Sequence, residues 1–215
     1  MGPAARRARM VERQLRRRGI SDPRVLAAME AVPREAFVPA ALRRRAYADA
    51  ALPIAAGQTI SQPWIVAAIC QALELRGGER VLEVGTGSGY SAAVLARMCA
   101  EVVSVERLRG LSEAAGAALA ELGVEGVELV VGDGSLGVPA RAPFDAIAVH
   151  AASPAPPRAL LGQLAPGGRL VIPLAGERAD VLTRFRRRGD GFEREELGPC
   201  RFVPLIGAEA FADPG

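Results

Sequence analysis

Apolar positions along this chain follow two rhythms that change over near residue 60. From Leu82 onward, short β-rich runs alternate with longer stretches dominated by Ala and Leu. The runs Arg80–Val84, Val102–Glu106, Val127–Val131 and Phe144–Val149 predict strands, and the stretches Ala92–Met98, Leu111–Leu122 and Pro157–Leu164 predict helices. The turn Pro166-Gly167-Gly168 stops the last of these helices. Leu170–Pro173 predicts a further strand, and Val181–Phe185 another that pairs with one near Phe192, before the apolar close Phe202–Leu205. Alternation of this kind argues for an α/β fold, a doubly wound, mostly parallel sheet with an antiparallel addition at the C-terminal end.

The first 60 residues read differently. Ser21-Asp22-Pro23 is a helix start, a capping residue followed by proline at the first helical position. Val25, Leu26 and Met29 then supply a short apolar face, and Pro33, Pro39 and Pro53 cut the remainder into short pieces. Two units are expected, a small helical N-terminal lobe (1–60) and the sheet domain (61–215). Ser61-Gln62-Pro63 opens another helix, with Ser61 as its cap and Trp64, Ile65, Ala68, Ile69 and Leu73 on its inner side.

Composition narrows the possibilities. A chain of 215 residues, half of them hydrophobic, is long enough to bury a sizeable core. No apolar run reaches the roughly 18 residues of a membrane span. The basic start MGPAARRARM is not followed by a hydrophobic segment, and Arg6 stands where a myristoylation motif needs Ser or Thr, so a cytoplasmic protein with no membrane partner is expected. Cys70, Cys99 and Cys200 lack the spacing of a zinc or redox motif, and with His150 as the single histidine no metal site is expected. The net charge is +3, and all 27 basic residues are arginines. Their clusters, Arg6–Arg9, Arg16–Arg18, Arg43–Arg45 and Arg186–Arg188, are short and carry no interleaved aromatics, which reads as solvated surface and not as a nucleic-acid footprint. A monomer is expected.

The chemistry concentrates in LEVGTGSGY at Leu82–Tyr90. Its loop, Gly85, Thr86, Gly87, Ser88 and Gly89, follows a strand and opens a helix, bringing backbone N–H groups close to a ligand. The spacing is Gly-x-Gly-x-Gly, not the Gly-x-Gly-x-x-Gly of dinucleotide sites, which weakens a dehydrogenase reading. Glu83 at the strand end would crowd a pyrophosphate and suits a cationic sulfonium amino acid better. Glu106 closes the second strand, placed to take both ribose hydroxyls. Asp133, followed by Gly134, closes the third, placed to accept from an adenine amino group. Acids at three consecutive strand ends point together to S-adenosylmethionine, with S-adenosylhomocysteine as product.

GQTISQPW at Gly57–Trp64 precedes that loop. A hydroxyl at a helix N-terminus is an anion site. If the anion is a substrate carboxylate, it is already ionised near neutral pH and needs no general base. GQTISQP followed by LEVGTGSGY resembles the protein-L-isoaspartate O-methyltransferases. The likeness runs from about Met10 to Leu205 and includes RGISDPRVLAAMEAVPREAFVP, VVGDGSLG, APFDAIAV, LAPGGRLVIP and RFVPL. The resemblance implies methyl transfer to the α-carboxyl of isoaspartyl residues in proteins or peptides, whose esters close to succinimides and hydrolyse in part to normal aspartate. It implies Ser61 as the active-site serine, Gln58, Thr59 and Ile60 beside it, and Val203, Pro204 and Leu205 as the strand clamping the substrate peptide. It places Glu83, Gly85, Glu106, Asp133 and Gly134 at cofactor positions. Ala50, Ala51, Ala55, Ala56 and His150 depart from the family pattern; a lone strand-end histidine reads as a hydrogen-bonded structural residue. Two alternatives remain at this point, an enzyme dedicated to one aspartyl precursor peptide and a non-catalytic nucleotide- or RNA-binding module.

Overall fold

The structure, a computed structural model, describes residues 1–213. Proline opens the first three helices. α1 spans Pro3–Met10, α2 spans Pro23–Ala31 and α3 spans Pro63–Ala72, each with Pro at a first-turn position where no N–H is needed. Asp22 caps α2, its carboxylate accepting from the Arg24 N–H at 2.8 Å. Between α2 and α3 the proline-rich text forms short helical turns and a small hairpin of β1 (Leu52–Pro53) and β2 (Thr59–Ile60).

The remaining strands, β3 (Arg80–Val84), β4 (Glu101–Glu106), β5 (Val127–Val131), β6 (Phe144–Val149), β7 (Leu164–Leu174), β8 (Asp180–Arg188) and β9 (Gly191–Cys200), form one seven-stranded sheet in the order β5-β4-β3-β6-β7-β8-β9. The first five in that order are parallel, and β8 and β9 add antiparallel. Helices α4 (Tyr90–Leu95), α5 (Arg109–Glu121) and α6 (Arg158–Gly162) lie on the crossovers. The chain starts the sheet at its middle, winds outward through β4 and β5, then returns to β6 beside β3. The sheet's topological switch therefore falls between β3 and β6, the place where open α/β sheets bind ligands.

Strand alternation builds two cores. Val81, Ala146 and Ala148 face α3, α4 and the N-terminal segment, while Leu82, Val84, Ile147 and Val149 face the other side with Leu160 of α6. Small alanines on the first face leave room for the helices that cover it. Met10, Leu15, Val25 and Met29 from the first 60 residues join the same hydrophobic cluster as Ile65, Ile69 and Leu73 of α3. Trp64, expected on the inner side of α3, is half-buried, its indole N–H donating to the Arg18 carbonyl at 3.2 Å.

The expected turn at Pro166-Gly167-Gly168 is a bulge inside β7. Leu164 pairs with Phe144 and Arg169 with Ala146, so residues 165–168 loop out and α6 ends at Gly162. β8 and β9 extend well beyond the predicted runs because their outer residues are charged, which hides an edge hairpin from an apolar pattern.

Gly89 carries a local demand. Its φ is +86°, and a Cβ there would lie 3.1 Å from the Ala115 Cβ of α5. Gly89→Ala is expected to destabilise the fold by more than about 1 kcal/mol in urea unfolding, from left-handed strain plus crowding. An unchanged midpoint would refute this.

Candidate active site

The loops after β3, β4 and β6 open into one cleft. Gly85, Gly87 and Gly89 all have positive φ (91°, 54° and 86°), so the loop's path needs glycine at each. The Gly85 N–H donates to the Val105 carbonyl at 2.9 Å, tying the loop to β4. Glu106 secures the rest. Its Oε2 accepts from the Gly87 N–H at 2.9 Å and its Oε1 from the Leu108 N–H at 3.0 Å. Each carboxylate oxygen keeps a further lone pair for a ligand hydroxyl. Gly85, Thr86, Gly87, Ser88, Glu106 and Gly134 all line the cleft; Gly89 sits just behind it at the start of α4.

Two of the three strand-end acids do not face the cleft. Glu83 alternates inward on β3 and is fully buried. Its Oε2 accepts from Ser104 Oγ at 2.5 Å, while its Oε1 has no hydrogen-bond partner and lies 3.5 Å from His150 Nε2. The His150 ring lines the cleft and meets Ser91 Oγ at 2.8 Å, so the expectation of a hydrogen-bonded histidine holds. Burial pushes the Glu83 carboxyl up to about 7, against the hydrogen bond from Ser104, and pushes the His150 imidazole down to about 4. Glu83 therefore supplies a buried polar support and no exposed acidic edge. Asp133 turns away as well. Its Oδ1 accepts from the Ser135 N–H at 2.9 Å and from Ser135 Oγ at 2.7 Å, and its Oδ2 from the Ala208 N–H at 2.7 Å. Partial burial opposes its ionisation, but the bonds from Ala208 and Ser135 outweigh that and hold it below the usual carboxylate range. Asp133 thus anchors the C-terminal turn, and Gly134 takes its place on the cleft wall.

The two buried shifts have opposite signs for stability. Glu83 titrates near 7 in the fold and near 4.5 unfolded, so its contribution is complete below about 4.5 and is lost as pH rises toward 7. His150 titrates near 4 in the fold and near 6.5 unfolded, so its contribution is complete above about 6.5 and is lost as pH falls toward 4. Across the shared window the two slopes oppose. His150→Gln removes one of them, and its unfolding free energy is expected to fall with rising pH, by up to about 1.4 kcal/mol per unit relative to the native chain. Parallel pH profiles for the two proteins would overturn this assignment.

The segments that precede α3 and follow β9 also line the cleft. They contribute Gln58, Thr59, Ile60 and Ser61 from the first and Val203, Pro204 and Leu205 from the second. The Ala152 N–H donates to the Val203 carbonyl at 2.8 Å and the Leu205 N–H to the Ala152 carbonyl at 2.7 Å, so this close of the chain runs alongside the residues after β6. Ser61 is not the helix cap. Gln62 occupies that position, without a side-chain capping bond. The fixed φ of Pro63 starts the helix instead, and Ser61 Oγ engages no other described residue in the hydrogen bonds of the fold. Its carbonyl accepts from Arg34 Nη2 at 2.7 Å. Arg34, Ser91, His150 and Ile206 were not identifiable as site residues from periodicity; the only sign of Arg34 was its place within PREAF.

A glycine loop on a doubly wound sheet, with a strand-end glutamate bonded to it, defines a nucleoside-binding α/β fold. The profile of the protein-L-isoaspartate(D-aspartate) O-methyltransferase family matches residues 5–210. A protein-L-isoaspartate O-methyltransferase of Methylorubrum extorquens is 57% identical over 212 residues, 98% of this chain and 92% of its own. One from Rhodopseudomonas palustris is 55% identical over 211 residues, 97% of this chain and 86% of its own. A solved protein-L-isoaspartate O-methyltransferase superposes with a TM-score of 0.85 at 31% identity, covering 95% of this chain and 67% of that one. A Plasmodium falciparum chain assigned to the same family, bound to S-adenosyl-L-homocysteine, gives 0.82 at 26% identity and covers 94% and 99%. The chain belongs to the protein-L-isoaspartate O-methyltransferase family.

Proposed function

We propose that this chain methylates the α-carboxyl of L-isoaspartyl residues in damaged proteins or peptides, using S-adenosylmethionine and releasing S-adenosylhomocysteine. The observation that carries this is that the Thr59–Ser61 segment, the Val203–Leu205 segment and the glycine loop line one cleft. When bound, the cofactor supplies a methyl group made electrophilic by its sulfonium. The residues present fit it: Glu106 has free lone pairs for a ribose diol, and the glycine loop on the cleft wall admits close backbone approach. Among the described residues no group of three His, Cys, Asp or Glu could hold a metal.

The chain's own part is to orient and to exclude water. Ser61 Oγ is free to donate to a carboxylate oxygen at the N-terminal end of α3. Val203–Leu205 lines the same cleft as a second chain segment beside the acceptor position. Fixing the reacting groups at contact distance replaces the entropy cost of their encounter, which is worth several kcal/mol, roughly 7–11 in favourable cases. A carboxylate needs no deprotonation, so the neutral, buried His150 is not required as a base.

Two features bear on the partners of this enzyme. No helix of the described residues is long and apolar enough to cross a membrane. Some of the clustered arginines pair with carboxylates, Arg16 with Glu12, Arg18 with Asp49, Arg186 with Glu74 and Arg188 with Glu193. The deciding measurement compares methyl transfer to an isoaspartyl peptide and to its aspartyl twin. Strong preference for the isoaspartyl form is expected. Activity on neither, or only on one aspartyl precursor, would replace this reading with the dedicated-enzyme alternative.

A further inference from the structure

Arg34 holds a buried positive charge that pairs with no carboxylate among the described residues. The side chain is fully buried. Nε donates to the Ala46 carbonyl at 2.8 Å, and Nη2 to the Ser61 carbonyl at 2.7 Å. The guanidinium lies over the Tyr90 ring, 4.8 Å from its centroid, and Nη1 has no hydrogen-bond partner. Glu35, next in the chain, gives its carboxylate to the Tyr47 hydroxyl and forms no ion pair with Arg34. Burial pulls Arg34 down to about 10, against the influence of Tyr90 and Tyr47, so the group stays cationic at neutral pH.

A buried charge of this kind is costly, and folds keep one only where something compensates it. Here two backbone carbonyls and an aromatic face do part of that work. Ser61 and Tyr90 both line the cleft, so the cation stands one residue behind its wall. A carboxylate arriving at Ser61 would meet Arg34's field through protein and not through water, where the attraction is strongest. The N-terminal end of α3, ten residues long, contributes a field of the same sign.

We propose that Arg34 is a positioning residue for the acceptor: its unneutralised charge behind Ser61 draws the substrate carboxylate into place, and the substrate completes its ion pair. This rests on the carboxylate-acceptor reading above. The proposal explains why an arginine buried without a counter-ion stands against the backbone of the serine segment. It also assigns recognition to charge, which the ester product lacks.

The test uses the native chain and two variants. Binding is measured for an isoaspartyl peptide, for its neutral α-methyl ester and for S-adenosylhomocysteine. Native protein is expected to bind the acid at least tenfold more tightly than the ester. Arg34→Gln is expected to weaken the acid at least tenfold while ester and S-adenosylhomocysteine affinities stay within twofold. Arg34→Lys keeps the charge and should recover most of the acid's affinity. Equal losses for acid and ester in Arg34→Gln would reduce Arg34 to a structural role and overturn the proposal. If that variant does not fold, the native comparison decides: equal affinity for acid and ester overturns it. Native protein that binds the acid preferentially but transfers no methyl group would leave Arg34's role standing and sink the isoaspartyl reading alone.

Discussion

Ser61→Asp is expected to yield a folded protein that binds S-adenosylmethionine and methylates isoaspartyl peptide at no more than about one hundredth of the native rate. Ser61 sits on the cleft wall, partly exposed, with its hydroxyl uncommitted to the fold. An aspartate there places a carboxylate where the substrate's should go. Two like charges about 4 Å apart at a protein surface repel by roughly 4 kcal/mol, which is more than a hundredfold in rate. The fold should tolerate the change, because the new carboxylate lies near the Arg34 cation and the N-terminal end of α3. Ser61→Ala completes the argument. Since Gln62 and not Ser61 precedes the helix, deleting the hydroxyl should cost less than about 0.5 kcal/mol of stability, well short of a lost cap. Any fall in turnover then reports the hydroxyl's work on the acceptor. Initial rates with isoaspartyl peptide, beside thermal unfolding, check both variants, and a native rate in Ser61→Asp would show that the carboxylate is held elsewhere.

Glu106→Ala should weaken S-adenosylhomocysteine binding by about 10- to 100-fold, as read by calorimetry. Glu106 is nearly buried and holds the Gly87 and Leu108 N–H groups with its two oxygens. Removing it both frees the glycine loop and deletes the acceptors for a ribose diol, and charged hydrogen bonds are worth about 1.5–3 kcal/mol. Glu106→Gln retains one acceptor oxygen and should fall between the two. Unchanged affinity in a folded Glu106→Ala protein would mean that the ribose is held by another group.

Much of the fold was legible because it depends on local rules. β-branched runs at Arg80–Val84, Val127–Val131 and Phe144–Val149 are strands with those bounds, and Asp22-Pro23 begins a helix because cap and fixed φ act within a few residues. The glycine loop could be placed because only glycine readily takes its three positive φ values. The β8–β9 hairpin was only partly legible, since charged edge residues interrupt the apolar alternation. The bulge in β7 was read as a turn because Pro-Gly-Gly looks the same locally in either setting.

The site divides along the same line. Sequence by itself determined which residues approach the cleft through the backbone of the glycine loop, and that Glu106 ends a strand beside it, since strand ends and loop conformations are written in adjacent residues. Tertiary structure alone decided which way the acids point. Glu83 faces a buried network with Ser104 and His150, and Asp133 faces Ala208, 75 residues further on, because strand alternation and a distant C-terminal turn set those directions. It also brought Val203–Leu205 against Ala152 and Arg34 against Ser61. Contacts between residues so far apart in the chain depend on how whole elements pack, and no periodicity in the text records them. The buried charge of Arg34 is the clearest case: an arginine looks like surface until the fold closes over it.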